Sequence, residues 1–216
     1  MPDLHLPFLP STVYHVYNHA NGDDDLFREA DNYRFFLEKY VKYISPIADT
    51  LAYCLMKNHF HLMVRIKDAG SFKTLEDSST SSNKTSKVFE NLGGLVEEEK
   101  AISKKVSQYF SNLFNSYTKA FNKKYNRMGS LFAPNVKRKV ITNDRYFTEL
   151  IVYIHNNPVH HGFVEDISHW VQSSYTRILE GNDPIVDEVE IIDWFGSKKA
   201  FVEAHKKTKG LMSVFE

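Results

Sequence analysis

Cysteine is nearly missing from this sequence: Cys54 stands alone among 216 residues. That excludes an internal disulfide framework and a paired-thiolate zinc site, and it fits a reducing, cytoplasmic setting. Long apolar runs are missing as well. None approaches the ~20 residues needed to span a bilayer, so no membrane partner is expected. The opening Met1-Pro2-Asp3-Leu4-His5 lacks both a basic and an apolar stretch, and a signal peptide is not expected. Net charge is also absent, with 27 Lys and Arg against 27 Asp and Glu. Hydrophobic residues, by contrast, make up 42% and aromatics 14%, ample for a packed core. The length suits one well-buried domain with an appendage.

The balanced charge is unevenly spread. Between Ala101 and Asn143 there are nine bases and no acid: Lys104, Lys105, Lys119, Lys123, Lys124, Arg127, Lys137, Arg138 and Lys139. Between Glu180 and Asp193 there are six acids and no base. Tyr109, Phe110, Tyr117, Phe121, Tyr125 and Phe132 interleave the basic stretch. Two readings stand side by side. The stretch suits a polyanion with exposed bases, or it is a solvated helix face.

Periodicity outlines the elements. Ser11 to Ala20 alternates and is rich in aromatic and β-branched residues, which predicts a strand. Asp31 is a candidate cap for a helix with Phe36, Leu37, Tyr40, Val41 and Ile44 at helical spacing, ended by Pro46. Thr50–Met56 and His59–Ile66 read as a hairpin across Lys57-Asn58. Residues 67–100, with the Ser-rich core 78–86, read as a flexible insertion. A second helix carries the stripe Val106, Phe110, Leu113, Phe114, Tyr117 and Phe121. An irregular strand over Leu131–Thr142, broken at Pro134, precedes a third helix expected from Asn143-Asp144 to Asn157-Pro158. The order β-α-β-β-α-β-α predicts an α+β, ferredoxin-like (split βαβ) antiparallel sheet with an added helix. Residues 1–178 are expected to form the main domain, and 179–216 an acidic, partly helical extension.

The segment Met56-Lys57-Asn58-His59-Phe60-His61-Leu62-Met63-Val64 carries the most chemistry. Residues two apart on a strand share a face, so His59 and His61 project together while Phe60, Leu62 and Val64 point into an apolar side. Two imidazoles so placed can ligate one divalent ion and leave positions for an oxygen ligand, water and substrate. They can equally decorate a half-exposed strand.

The company of that pair resembles the insertion-sequence-200-like, or REP-associated, single-tyrosine HUH transposases, from about Thr12 to Tyr175. The resemblance rests on Tyr14-His15-Val16-Tyr17-Asn18-His19, Leu26-Phe27, the Met56–Val64 segment, Asp144-Arg145-Tyr146-Phe147, Tyr153-Ile154-His155-Asn156-Asn157-Pro158 and Ser173-Ser174-Tyr175. Lys57 stands where the family usually has proline, and His19 where arginine is common. The resemblance implies a metal-dependent nickase and strand transferase: a tyrosine attacks a phosphodiester of single-stranded or hairpin DNA, leaving a 5′-phosphotyrosine and a free 3′-hydroxyl. It implies Mg²⁺ or Mn²⁺ held by His59 and His61. Tyr146, in the first turn of the third helix, is the expected nucleophile, with Tyr153 its rival. Glu149 is the candidate third ligand and Asn157 the alternative. Relatives usually supply that oxygen from four residues after the tyrosine, where this chain has Leu150. Lys104, Lys105, Lys123, Lys124, Lys137, Arg138, Lys139 and His19 are the expected DNA contacts. A homodimer is possible, since many relatives exchange the tyrosine helix. Two other functions fit parts of the pattern: a DNA-binding regulator of the same fold that no longer nicks, and a hydrolase of small phosphoesters.

Overall fold

The computed structural model describes residues 6–72 and 92–206, apart from the side chains of 92–96. The Ser-rich core of the expected insertion and the last residues of the extension lie outside the described residues.

Four strands form one antiparallel sheet: β1 (Val13–His19), β2 (Ala48–Leu55), β3 (His59–Ile66) and β4 (Lys137–Val140). Their order is β2-β3-β1-β4, with every neighbouring pair antiparallel. This is the ferredoxin-like arrangement that the element order predicts, with β1 and β3 at the centre. The register sets Tyr17 opposite His61 and His19 opposite His59, and His15 opposite Lys139 and Tyr17 opposite Lys137.

One face is covered by α1 (Ala30–Tyr43) and α2 (Leu92–Lys124). Phe60 meets Phe36 of α1 and Phe114 of α2 there. Glu29 occupies the N-cap position of α1 without a side-chain capping bond, and Asp31, the expected cap, sits in the first turn. Helix α2 starts at Leu92, earlier than expected, and takes 92–100 out of the predicted flexible insertion. Helix formers explain the gain: Glu97 to Ala101 favour the conformation, and Lys100 bonds Glu97 at 3.0 Å. Of the six aromatics that interleave the basic stretch, Tyr125 is partly exposed and the other five are inside. Tyr109, Phe110, Tyr117, Phe121 and Phe132 are buried, so these five pack the core rather than offering their faces to exposed bases.

The other face carries α3 (Asp144–His160). It runs two residues beyond the expected stop, through Pro158. Proline removes one helical donor, but this close to the end the chain still closes, with His161 N–H bonding Asn157 O at 2.9 Å. Three shorter helices follow: α4 (Tyr175–Glu180), α5 (Glu188–Phe195) and α6 (Lys198–Lys206). The acidic run serves these packings. Asp183 accepts from Tyr53 Oη at 2.9 Å and from Ile185 N–H at 2.8 Å. Asp187 caps α5, and Glu190 pairs with both terminal nitrogens of Arg65 at 3.2 and 2.5 Å. Ile191 and Phe201 of this segment join the main core. The Ser173-Ser174 segment bonds the outer edge of β2, with Leu55 N–H to Gln172 O at 2.9 Å and Ser174 N–H to Tyr53 O at 3.0 Å. That blunts an otherwise open sheet edge. No helix among the described residues is long and apolar enough to cross a membrane.

Candidate metal and nucleophile site

Strand alternation puts His15, Tyr17, His19, His59 and His61 on the face that α3 covers. His59 and His61 stand together, ring centroids 5.2 Å apart. Burial holds both rings neutral. It lowers the His59 pKa to about 4, with help from the charges of His161 and His19, and it drives His61 well below the ordinary histidine value, assisted by His15. A neutral imidazole offers a lone pair, the form a metal ion needs. His59 Nδ1 lies 2.8 Å from Asn58 Oδ1. An amide oxygen only accepts, so Nδ1 carries the proton and Nε2 keeps its lone pair.

Helix α3 brings Tyr153, not Tyr146, against this pair. The ring of Tyr153 stands edge-on to His61 at 5.5 Å and to His15 at 6.0 Å. Tyr146 lies seven residues earlier, roughly 10 Å along the axis at 1.5 Å per residue. It reaches Tyr17, whose phenol pKa is raised by burial first and by Tyr146 second. Tyr17 in turn stacks on His15 at 4.7 Å and lies 5.8 Å from His61. Tyr146 therefore borders the site, and Tyr153 is in it, although only 5% exposed.

The same helix brings Asn157 to the pair. It lies one turn after Tyr153, close enough to His59 to favour the protonated ring. Its Nδ2 donates to Tyr153 O at 2.9 Å, while its buried Oδ1 has no hydrogen-bond partner. An acceptor left unpaired in the interior is costly, and here it faces an imidazole whose remaining nitrogen is also an acceptor. A cation between them would satisfy both, so these residues fit a divalent ion. The spacing of four that is filled by Leu150 after Tyr146 is filled by Asn157 after Tyr153. Glu149 is instead paired with Arg145 at 2.7 Å. Among the described residues no three His, Cys, Asp or Glu side chains converge as a metal cluster, so no described carboxylate stands with the two histidines as a third ligand.

Two residues join the site without having been singled out in the sequence. His161, just past the end of α3, sets its ring 5.0 Å from His59. His15 Nε2 lies 2.9 Å from His61 Nδ1. Both had a signal: His15 alternates with Tyr17 and His19 on one strand face, and His161 follows Asn157 by four.

The expected DNA contacts divide between the faces. Lys137 and Lys139 share the histidine face, with Lys137 Nζ 5.9 Å from the Tyr17 ring centroid, and His19 lies at its end. Arg138 points the other way, onto Phe8 at 4.4 Å and the carbonyl of Leu6. Lys104, Lys105, Lys123 and Lys124 ride on α2, over the opposite face, where Lys124 is ion-paired with Glu29.

No protein-family model matches the sequence, and no curated protein does. The fold is similar to that of a REP-associated tyrosine transposase solved bound to a REP hairpin. The TM-score is 0.55 at 15% identity, with 86% of this chain and 90% of that chain covered.

Proposed function

We propose that this protein is a metal-dependent nickase and strand transferase acting on single-stranded or hairpin DNA, with Tyr153 as nucleophile. The observation that carries the reading is the meeting of three groups within one chain. These are the His59–His61 pair, the Tyr153 ring 5.5 Å from His61, and the unpartnered Asn157 Oδ1 beside His59. His59, His61 and Asn157 would hold a divalent ion. Two imidazoles favour Mn²⁺ over the harder, oxygen-preferring Mg²⁺. When bound, the ion supplies charge stabilisation to the phosphate oxygens.

The remaining steps belong to the chain and the DNA. Lys137, Lys139 and Tyr17 flank the pair on the β4 side and would guide the phosphate backbone towards it. The Tyr153 oxygen attacks phosphorus and the bond to the 3′ oxygen breaks. The phenol gives up its proton, and the departing 3′ oxygen takes one up, so the nick leaves a 5′-phosphotyrosine and a 3′-hydroxyl. A phenol of pKa roughly 10 is also a fair leaving group, so the covalent step can run backwards and rejoin strands. Tyr153 is nearly enclosed, and attack requires α3 to yield locally when DNA enters.

Incubation with labelled hairpin DNA and Mn²⁺, followed by denaturing electrophoresis, tests the reading. A protein–DNA adduct is expected from the wild type and from Tyr146→Phe, and none from Tyr153→Phe. An adduct lost only in Tyr146→Phe would move the nucleophile to the first turn of α3. DNA retention with no adduct in any form would leave a binding protein of the same fold.

A further inference from the structure

We propose that His15 is a positioning residue that sets the tautomer of His61, so that His61 ligates through Nε2. The inference rests on the reading of His59 and His61 as ligands of a divalent ion. His15 and His61 are both buried, at 1% and 7% exposure. Their rings lie 25° from parallel with centroids 5.1 Å apart, and His15 Nε2 is 2.9 Å from His61 Nδ1. Nδ1 of His61 is therefore occupied, and Nε2 is the nitrogen left for an ion. A neutral imidazole carries one proton. If Nε2 is to offer its lone pair, that proton is on Nδ1 and is donated to His15 Nε2. In the reverse arrangement His15 donates, His61 holds its proton on Nε2, and the ring cannot ligate.

The geometry repeats what Asn58 does for His59, where Oδ1 accepts from Nδ1 at 2.8 Å. Each candidate ligand thus has an acceptor behind it, the arrangement by which a second layer of residues orients metal-bound histidines. His15 is a poor residue for stability at this spot. Its other nitrogen, Nδ1, is buried without a partner, and an orphaned polar atom in the interior is unfavourable. An apolar side chain of similar size would remove that orphan but leave His61 Nδ1 without an acceptor. The polar ring makes sense for what it does to His61.

Three measurements test this. In wild-type protein loaded with diamagnetic Zn²⁺ as probe, nitrogen-15 spectroscopy is expected to show His61 protonated at Nδ1; protonation at Nε2 overturns the proposal and needs no variant to fold. Mn²⁺ affinity, read by electron paramagnetic resonance, is expected to fall about 10- to 100-fold in His15→Met. It should stay close to wild type in His15→Gln, whose amide oxygen can accept in the same place. In Zn²⁺-free His15→Met the same nitrogen-15 spectra should lose the preference for protonation at His61 Nδ1, a change that a merely structural His15 would not produce. Wild-type affinity in His15→Met would remove the role of His15 and leave the site standing. Failure of the wild type to bind Mn²⁺ or Zn²⁺ at all would instead sink the metal reading and this proposal with it.

Discussion

Two pairs of buried histidines sit on either side of helix α3, and they are finished to different degrees. His155 and His205 face each other at 2.8 Å between α3 and α6. His205 Nδ1 donates to Phe201 O at 2.7 Å, so its Nε2 accepts from His155 Nδ1–H. His155 Nε2 then accepts from Ser174 Oγ at 2.8 Å, and Ser174 Oγ accepts from Tyr53 N–H at 3.0 Å. Every nitrogen has a partner, and the backbone carbonyl at one end dictates each proton along the chain. The His15–His61 pair begins the same way but ends in orphans, His15 Nδ1 and, across the site, Asn157 Oδ1. A satisfied network ties elements together. One left open needs something more to complete it, which separates a structural cluster from a functional one without any appeal to residue type.

Acid should have the largest effect, because it attacks both clusters. Burial lowers His15 to about 3, His59 and His205 to about 4, and His61 and His155 well below the ordinary value. These rings stay neutral when folded and take up protons when unfolded, so stability is intact above pH ~6.5 and is lost as pH falls towards their folded values. Each contributes about 1.4 kcal/mol per pH unit in that window. Together these rings make the fold acid-sensitive below about pH 6. Circular dichroism against pH should show a steep, cooperative loss there, and a shallow decline reaching below pH 4 would mean the rings are not buried as described.

Substitution then divides the clusters. His59→Ala or His61→Ala is expected to cut adduct formation by about 10³-fold, on the order of 4 kcal/mol of transition-state stabilisation, with DNA binding retained. Removing the ion with a chelator should match it. His155→Ala should do the reverse. It strands Ser174 Oγ and His205 Nε2 and opens a cavity, costing about 3 kcal/mol in urea unfolding, while adduct yield per folded molecule is unchanged. Parallel losses of stability and activity in both variants would erase the distinction between the clusters.

The smallest effect concerns charge. Replacing Lys137 and Lys139 together with Ala should reduce the dependence of log affinity on log salt by roughly 1.4 for single-stranded DNA. Lys104→Ala with Lys105→Ala, on the far face, should change it far less. Equal changes in both pairs would show that DNA wraps the α2 side as well.

Much of this was legible in the residues. The element order carried the sheet topology, and the two-residue period of a strand put His59 and His61 on one face. Tyr153 and Asn157 were both visible in the expected third helix, as the rival nucleophile and the alternative ligand. The choice between Tyr146 and Tyr153 was not, since residues seven apart lie on one side of a helix and local periodicity fixes a helix's rotation but not how far it slides along the sheet. The inward turn of the α2 aromatics was equally hidden, because a charge run with interleaved rings reads alike on a core helix and on a nucleic-acid surface.

The sequence by itself therefore determined what lies on which face of each element, because side-chain direction follows from backbone geometry over a few residues. Only the tertiary structure decided which tyrosine meets the histidines, which oxygen stands beside them, and that His15 backs His61. Those are contacts between residues 46 to 138 positions apart, brought together by the packing of α3 on the sheet and by the register of β1 against β3.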